Sequence, residues 1–174
     1  MKKYFKFLGI AFMATAFCMG FASCGDKDDN STSGAGGITP SGYVDLGLPS
    51  GTKWKAENET NSNEDNYYTY EEAIAAFGKK LPTKEQFMEL RNECDWTWAG
   101  MGYKIVGSNG KSITLPAAGV RDPGGSIDLV GSTGFYWSSS PNGSIGWYFQ
   151  FGSGDMDMGD YAHCIGLTVR LVQN

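Results

Sequence analysis

The residues of this chain that could do chemistry gather near its C-terminus, where Asp155, Asp157 and Asp160 precede His163 and Cys164. Closely spaced carboxylates are typical of a calcium-binding loop, because Ca²⁺ prefers oxygen ligands. A histidine beside a cysteine could take the thiol proton and so produce a nucleophile. The sequence therefore raises two chemical hypotheses, a metal site and a thiol enzyme.

The spacing of these residues disfavours both hypotheses. An EF-hand loop beginning at Asp155 needs glycine at its sixth position and glutamate at its twelfth, where the chain has Asp160 and Gly166. His163 is the single histidine of the sequence. A zinc site with several histidine ligands is therefore excluded, and a Ser-His-Asp triad could form only around His163. On a strand, His163 and Cys164 would point to opposite faces unless a turn intervened. We expect no enzymatic activity, no metal site and no cofactor.

The same region, residues 135–174, has a pattern that favours binding. The framework positions repeat aromatic, aliphatic and Ser residues: Phe135, Tyr136, Trp137, Ser138, Ser139, Phe149, Phe151, Met156, Met158, Val169, Arg170, Leu171 and Val172. The scattered set shares no chemical property: Ile145, Gly146, Tyr148, Gly152, Asp155, Asp157, Gly159, Asp160, Tyr161, Ala162, His163, Cys164 and Leu167. Alternation of the two sets predicts that framework positions face the core and the scattered set faces solvent. A constant inner face with an unconstrained outer face indicates a binding surface.

Aromatic side chains in this region have two interpretations. Exposed Tyr148, Tyr161 and Trp147 would act as rigid anchors for a ligand. Packing in the core is the alternative role for each of these three side chains. For two other tryptophans, Trp137 and Trp54 (the latter outside this region), core packing is the preferred interpretation.

The N-terminal residues predict export and lipidation. Three lysines precede an apolar run, residues 7–21, that is too short to span a bilayer and is typical of a signal peptide over residues 1–23. Residues 21–24, Phe-Ala-Ser-Cys, resemble a bacterial lipobox, with an ordinary secretory signal as the alternative. Residues 27–29, Lys-Asp-Asp, resemble an acidic signal for surface display, or else form a solvated linker. We expect a protein lipid-anchored to the outer membrane through Cys24 and exposed on the cell surface.

Composition after the signal predicts a stalk and one domain. Residues 24–41 are rich in Gly, Ser, Thr, Asn and Asp and predict a flexible stalk, and residues 42–174 fit one domain on length. Without the three signal lysines, 11 basic and 19 acidic residues remain, a net charge of −8. Such a charge disfavours nucleic acid as a partner.

Helix and strand signals predict an α+β domain. Capping boxes at Thr69 and Thr83 predict helices over residues 70–77 and 84–93. Asn109-Gly110 predicts a hairpin turn. Strands are predicted over residues 103–106, 112–115, near 137, over 147–151 and over 167–172. Two helices followed by strands indicate α+β, with a long irregular second half.

Cysteine use leaves one question open. Cys94 shares a helical face with Phe87 and Leu90, which favours a buried thiol. A disulfide between Cys94 and Cys164 is the alternative, because the sequence alone does not decide pairing.

Five blocks resemble the Fibrobacter succinogenes major paralogous domain in order and spacing across nearly all of residues 43–172. They are residues 43–54 (YVDLGLPSGTKW), 81–87 (LPTKEQF), 115–119 (LPAAG), 136–139 (YWSS) and 169–172 (VRLV). The resemblance implies a C-type lectin-like fold, related to formylglycine-generating enzymes. In that fold, two helices pack on a small twisted antiparallel sheet, the N- and C-terminal strands pair, and long irregular loops gather on one side.

Residues 135–174 also resemble the variable region of proteins diversified by retroelements. There, asparagine codons of a template repeat are randomised at adenines, so each target position can become any residue that a codon ending in C or T encodes. Every member of the scattered set is a residue of that kind. Trp147 and Gln150 would be unrandomised. The resemblance implies that the face binds a protein or glycan ligand on another cell, a phage or a host.

Two alternatives keep the same fold. One is an adhesion or envelope-assembly module without diversification. The other is an oxidase-like enzyme acting through Cys164, which is disfavoured because the formylglycine-generating relatives use a cysteine pair near the C-terminus. The lectin calcium signature Glu-Pro-Asn is absent, and residues 140–142 read Ser-Pro-Asn.

Overall fold

Residues 42–62, 65–143 and 145–174 are described by a computed structural model, and they fall in one compact unit. The predicted signal peptide, the lipidation site Cys24 and the predicted stalk lie outside the described residues. Within the described ranges, no helix has the length and apolar character needed to cross a membrane.

Both predicted helices are confirmed, and their caps explain where they begin. They are α1 (Tyr70–Phe77) and α2 (Lys84–Glu93). At the start of α1, the Thr69 hydroxyl accepts from the Glu72 N–H, and the Glu72 carboxylate accepts from the Thr69 N–H at 2.8 Å. Thr83 and Gln86 repeat this arrangement at α2. Gly78 ends α1 with φ 49°, a backbone conformation that favours glycine.

The described residues form four small antiparallel sheets. The strands are β1 (Tyr43–Asp45), β2 (Lys53–Lys55), β3 (Asp95–Trp98), β4 (Gly102–Val106), β5 (Ser112–Pro116), β6 (Val120–Arg121), β7 (Ile127–Asp128), β8 (Gly134–Asn142), β9 (Ile145–Phe151), β10 (Met156–Ala162) and β11 (Val172–Gln173). Their orders are β1-β2-β11, β10-β9-β8, β3-β4-β5 and β6-β7. Together with the two helices, these sheets confirm the α+β class.

The sheet of β8, β9 and β10 has apolar layers on both faces. On one face, Phe149 stacks on Phe87 of α2, with 5.0 Å between their ring centroids, and Phe151 contacts Trp96 of β3. On the other face, Trp137 and Tyr148 join a second cluster that includes residues of α1 and the segment before β11. This sheet therefore forms the middle layer of the domain and holds two hydrophobic clusters apart.

Several strand assignments differ from the sequence prediction, which also lacked the short strands β6 and β7. Residues 167–172 were expected to form one strand, but only β11 is a strand there, and it pairs with β2. Leu167 and Thr168 make isolated bridges to Tyr68 and Tyr136 instead. Strand β3 was not predicted, because its sequence Asp-Trp-Thr-Trp directly follows α2 without a turn signal. Trp54 and Trp137 are fully buried, as expected.

Candidate binding surface

The hairpin of β9 and β10 carries most of the scattered set. Its register places Met156 opposite Phe151 and Met158 opposite Phe149. The two phenylalanines are buried, and the two methionines are half-buried and pack against the same cluster. The predicted inward orientation of these four framework positions is therefore confirmed.

Six members of the scattered set are exposed: Asp155, Asp157, Asp160, Tyr161, Ala162 and Cys164. We call them the exposed set. Four of them, Asp157, Asp160, Tyr161 and Ala162, lie on β10 and occupy both of its faces. Asp160 pairs with Trp147 on the face of Phe149, whereas Tyr161 pairs with Gly146 on the face of Tyr148. The prediction that all scattered residues share one face is therefore wrong, and these four are exposed because β10 is at the edge of the sheet.

Three scattered residues are buried, which corrects the prediction that they face solvent. Leu167 is 0% exposed, Tyr148 is 8% exposed, and Gly146 is buried as well. The physical reason is the second apolar layer, because the face of Tyr148 is covered by the cluster that contains Ala73 of α1. Alternation in a sequence separates the two faces of a strand, but it does not show which face is covered.

The remaining scattered residues, together with Trp147, border the exposed set. Ile145, Trp147, Gly152, Gly159 and His163 are half-buried. The Trp147 ring lies 3.8 Å below the ammonium group of Lys84, a cation–π contact with the start of α2. Tyr161 is 39% exposed and packs on Tyr148 with 5.6 Å between ring centroids. Tyr161 therefore has the exposure expected of an aromatic anchor, whereas Tyr148 supports it from below.

His163 and Cys164 lie in a turn after β10, so the strand geometry assumed for them does not apply. The His163 ring stacks on Tyr70 at 4.6 Å, and its Nδ1 is 3.3 Å from a carboxylate oxygen of Glu71. The Tyr70 N–H also donates to the His163 carbonyl at 3.0 Å. His163 thus connects the turn to α1.

Both cysteines in the described residues are free thiols, so no disulfide joins Cys94 and Cys164. Cys94 is half-buried beside the core. Burial raises its pKa to about 11, and the negative charges of Asp95, Glu93 and Glu89 act in the same direction. A thiol with this pKa is a poor nucleophile near neutral pH, because only the thiolate reacts.

In the part of the chain that the structure describes, no three His, Cys, Asp or Glu side chains are grouped closely enough to hold a metal ion.

Sequence reasoning missed an exposed apolar patch away from the hairpin. It contains Met101 and Val130, and the large apolar side chains of Ile127 and Leu129, next to Val130 in the sequence, are exposed as well. Met101 and Val130 also line a cavity of about 450 Å³. The sequence feature that could have indicated this patch is the apolar run Ile-Asp-Leu-Val, residues 127–130, inside a Gly- and Ser-rich stretch. Exposed apolar patches of this kind often mark interaction sites.

Comparison with known proteins gave no match, neither to a family model, nor to a curated protein, nor to a solved structure.

Substitution of two glycines should separate buried from permissive scattered positions. An added Cβ at Gly146 would lie 2.5 Å from the Tyr70 ring and 2.9 Å from the Trp137 ring. We expect Gly146→Ala to lower the free energy of unfolding by about 1–3 kcal/mol, because overpacking forces rings from their positions. At Gly152 the nearest atom is 3.6 Å away, so Gly152→Ala should change stability by less than about 0.5 kcal/mol. Equal urea midpoints for the two variants would contradict the packing described.

Proposed function

We propose that this protein is a surface-displayed lipoprotein that binds a protein or glycan ligand through a diversified part of its domain. The observation that carries the proposal is the contrast within one hairpin between the buried Phe149 and Phe151 and the exposed residues Asp155, Asp157, Asp160, Tyr161 and Ala162. Substitutions at exposed positions usually change stability by less than about 0.5 kcal/mol. The hairpin can therefore present many residue types without loss of the fold.

The ligand contacts are assigned to the exposed set, and the remaining scattered residues support it. Gly146, Tyr148 and Leu167 fill the layer beneath the hairpin, so varying them would disturb packing. Tyr161 supplies the rigid aromatic contact, and the aspartates supply charge.

A C-type lectin-like fold is proposed for the domain. Three features support it: β11 pairs with β2, so both ends of the domain share one sheet; two helices flank the central sheet; and irregular loops connect the small sheets. The described α+β architecture is compatible with that fold.

A second candidate function is a fixed adhesion or envelope-assembly module. The observation that favours it is the burial of Gly146, Tyr148 and Leu167, since a mechanism that randomised these positions would destabilise many of its products.

The DNA around the gene separates the two candidates. Diversification requires a nearby noncoding repeat, almost identical to the codons for residues 135–174, with asparagine codons at positions of the exposed set, and a reverse transcriptase gene close by. We further expect codons other than asparagine in the repeat at positions 146, 148 and 167. Absence of the repeat and of the reverse transcriptase gene supports the fixed module instead.

Protease treatment of intact cells tests the display. On cells that carry the parent protein, protease should cut the predicted stalk, residues 24–41, and release the folded domain intact. A Cys24→Ser variant is the matched control, because it lacks the thiol that takes the lipid and should be released from the membrane. Full protection of the parent protein contradicts surface display.

A further inference from the structure

Strand β10 is an edge strand that pairs with another strand on one side only. In the order β10-β9-β8, it pairs with β9, and within the described residues no other strand pairs with it. It runs over Met156–Ala162, long enough to pair with an extended peptide. An exposed strand edge presents a row of unpaired N–H and C=O groups that can accept another strand.

The hydrogen-bond register identifies which backbone groups point outward. The Gly152 N–H donates to the Asp155 carbonyl at 2.9 Å at the open turn of the hairpin, which makes these two residues a hydrogen-bonded pair. Along two antiparallel strands, opposite residues alternate between pairs whose backbone groups hydrogen-bond each other and pairs whose backbone groups point away from the partner strand. The residues whose backbone groups point away from β9 are therefore Met156, Met158, Asp160 and Ala162.

Two of these outward groups already have partners. The Met158 N–H donates to the side chain of Asp157 at 2.8 Å, and the Ala162 carbonyl accepts from the Ile165 N–H at 3.2 Å. Asp160 lies between them, with both its N–H and its carbonyl directed outward. It is therefore the residue at which an added strand would make its central contact.

The charge along this edge selects the kind of strand that fits. Asp155, Asp157 and Asp160 are all exposed, and the Asp157 side chain is 75% exposed. A guanidinium nitrogen of Arg91 lies 4.0 Å from a carboxylate oxygen of Asp157, so its positive charge offsets one of the three negative charges. A second copy of β10 would bring aspartates near aspartates, and like charges on paired strands are destabilising. Lysine or arginine on the incoming strand would instead be attracted.

We propose that β10 binds an extended basic segment of a partner protein, which joins the sheet as an additional strand. This inference rests on the proposed function and specifies its ligand as a peptide segment rather than a glycan. Backbone hydrogen bonds to Asp160 and its outward neighbours supply affinity, and the aspartates supply the preference for positive charge. Tyr161, on the opposite face of the strand from Asp160, adds an aromatic contact.

Asp160→Pro and Asp160→Asn distinguish backbone pairing from simple charge attraction. Proline removes the outward N–H but leaves the ladder to β9 intact, because the N–H of residue 160 does not bond to β9. Asparagine removes the charge and keeps the N–H. The probe is a short peptide of alternating lysine and valine, with alternating glutamate and valine as its control, and binding is followed by fluorescence anisotropy. We expect the parent protein to bind only the basic peptide, with affinity reduced at least about tenfold by Asp160→Pro and about threefold by Asp160→Asn.

A ligand-side version requires no change in the protein. Methylation of alternate backbone nitrogens on the basic peptide removes the N–H groups that face β10, and it should abolish binding to the parent protein. If Asp160→Pro shifts the urea midpoint and is therefore destabilised, binding of the methylated peptide still tests whether β10 pairs through its backbone.

Several outcomes overturn the proposal. They are failure of the parent protein to bind the basic peptide, equal binding by Asp160→Pro in its folded state, and equal binding of the methylated peptide. A dimer of the parent protein in sedimentation that dissociates in Asp160→Pro assigns the edge to a second copy instead. A template repeat found beside the gene together with any of these results leaves diversification intact and removes only the strand-addition model.

Discussion

Replacing Arg170 with methionine should lower the free energy of unfolding by about 3–5 kcal/mol, because the buried guanidinium that makes four hydrogen bonds is lost. Arg170 is 0% exposed. It donates to the Asn58 side chain at 2.8 Å, to the Lys55 carbonyl at 2.8 Å, to the Thr114 carbonyl at 2.7 Å, and to the Ala56 carbonyl. The guanidinium thereby joins the segment before β11 to the segment around β2 and to β5.

Methionine is chosen because it fills a similar volume without donors. The carbonyls and the Asn58 amide oxygen, which are part-buried, would lose these hydrogen bonds, and an unmet hydrogen bond at a buried group costs about 1–3 kcal/mol. Burial lowers the pKa of Arg170, and the nearby Tyr136 hydroxyl, Glu57 and Glu59 oppose that shift. The position is therefore occupied by a cation whose charge the surrounding oxygens stabilise.

Arg91→Met is the matched control for Arg170→Met. Arg91 lies on α2, its side chain is 36% exposed, and its ion pair with Asp157 is long at 4.0 Å. Exposed ion pairs of this kind contribute about 0–1 kcal/mol. Urea unfolding followed by tryptophan fluorescence should show a large midpoint shift for Arg170→Met and a small one for Arg91→Met. Similar shifts for both variants would contradict the network.

The second large effect is expected at Leu167. Leu167→Ala should lower the free energy of unfolding by about 2–5 kcal/mol, the range for truncating a buried leucine to leave a cavity. Its side chain is fully buried in the cluster with Trp137, Tyr148 and Val169. Its backbone also exchanges hydrogen bonds with Tyr68, with distances of 2.9 and 3.0 Å.

Leu129→Ala is the control for Leu167→Ala, since it makes the same truncation at an exposed leucine. We expect a change within about 0.5 kcal/mol there. Thermal unfolding monitored by circular dichroism compares the two variants. If Leu167→Ala is as stable as Leu129→Ala, residue 167 belongs with the surface, and the sequence-based assignment to the scattered outer face was correct after all.

Local signals in the sequence predicted the local structure well. The capping boxes at Thr69 and Thr83 fix where both helices begin, because the threonine hydroxyl and the side-chain oxygen of Glu72 or Gln86 each accept from the other residue's backbone N–H. Asn109-Gly110 placed the hairpin of β4 and β5 for a similar reason, since glycine accommodates the turn. These features depend on residues close together in the chain, so one sequence is enough to find them.

Features set by distant residues were harder to predict. The alternation around Phe149 identified the inner face of the hairpin, but the cover over Tyr148 comes from residues far away in the chain, such as Ala73 and Leu81. The sequence pattern places Arg170 among the framework positions but gives no sign of its carbonyl partners. Within the candidate surface, the sequence therefore found the right hairpin and included three residues that support it from inside.

The edge position of β10 also escaped sequence analysis. Its residues alternate like those of β9, and only the sheet order shows that one strand is central and the other is at the margin. Edge location explains why Asp160 and Tyr161 are both exposed although they point to opposite faces. It also exposes the backbone groups on which strand addition depends.

Parallel randomisation of two residue triplets measures the central claim most directly, namely that exposed positions of the hairpin can vary while the layer beneath them cannot. One library randomises Asp157, Asp160 and Tyr161, and the other randomises Gly146, Tyr148 and Leu167. Each is displayed on cells, and the fraction of variants that resist protease is counted. Most variants of the first library and few of the second should resist, whereas equal fractions would contradict the claim.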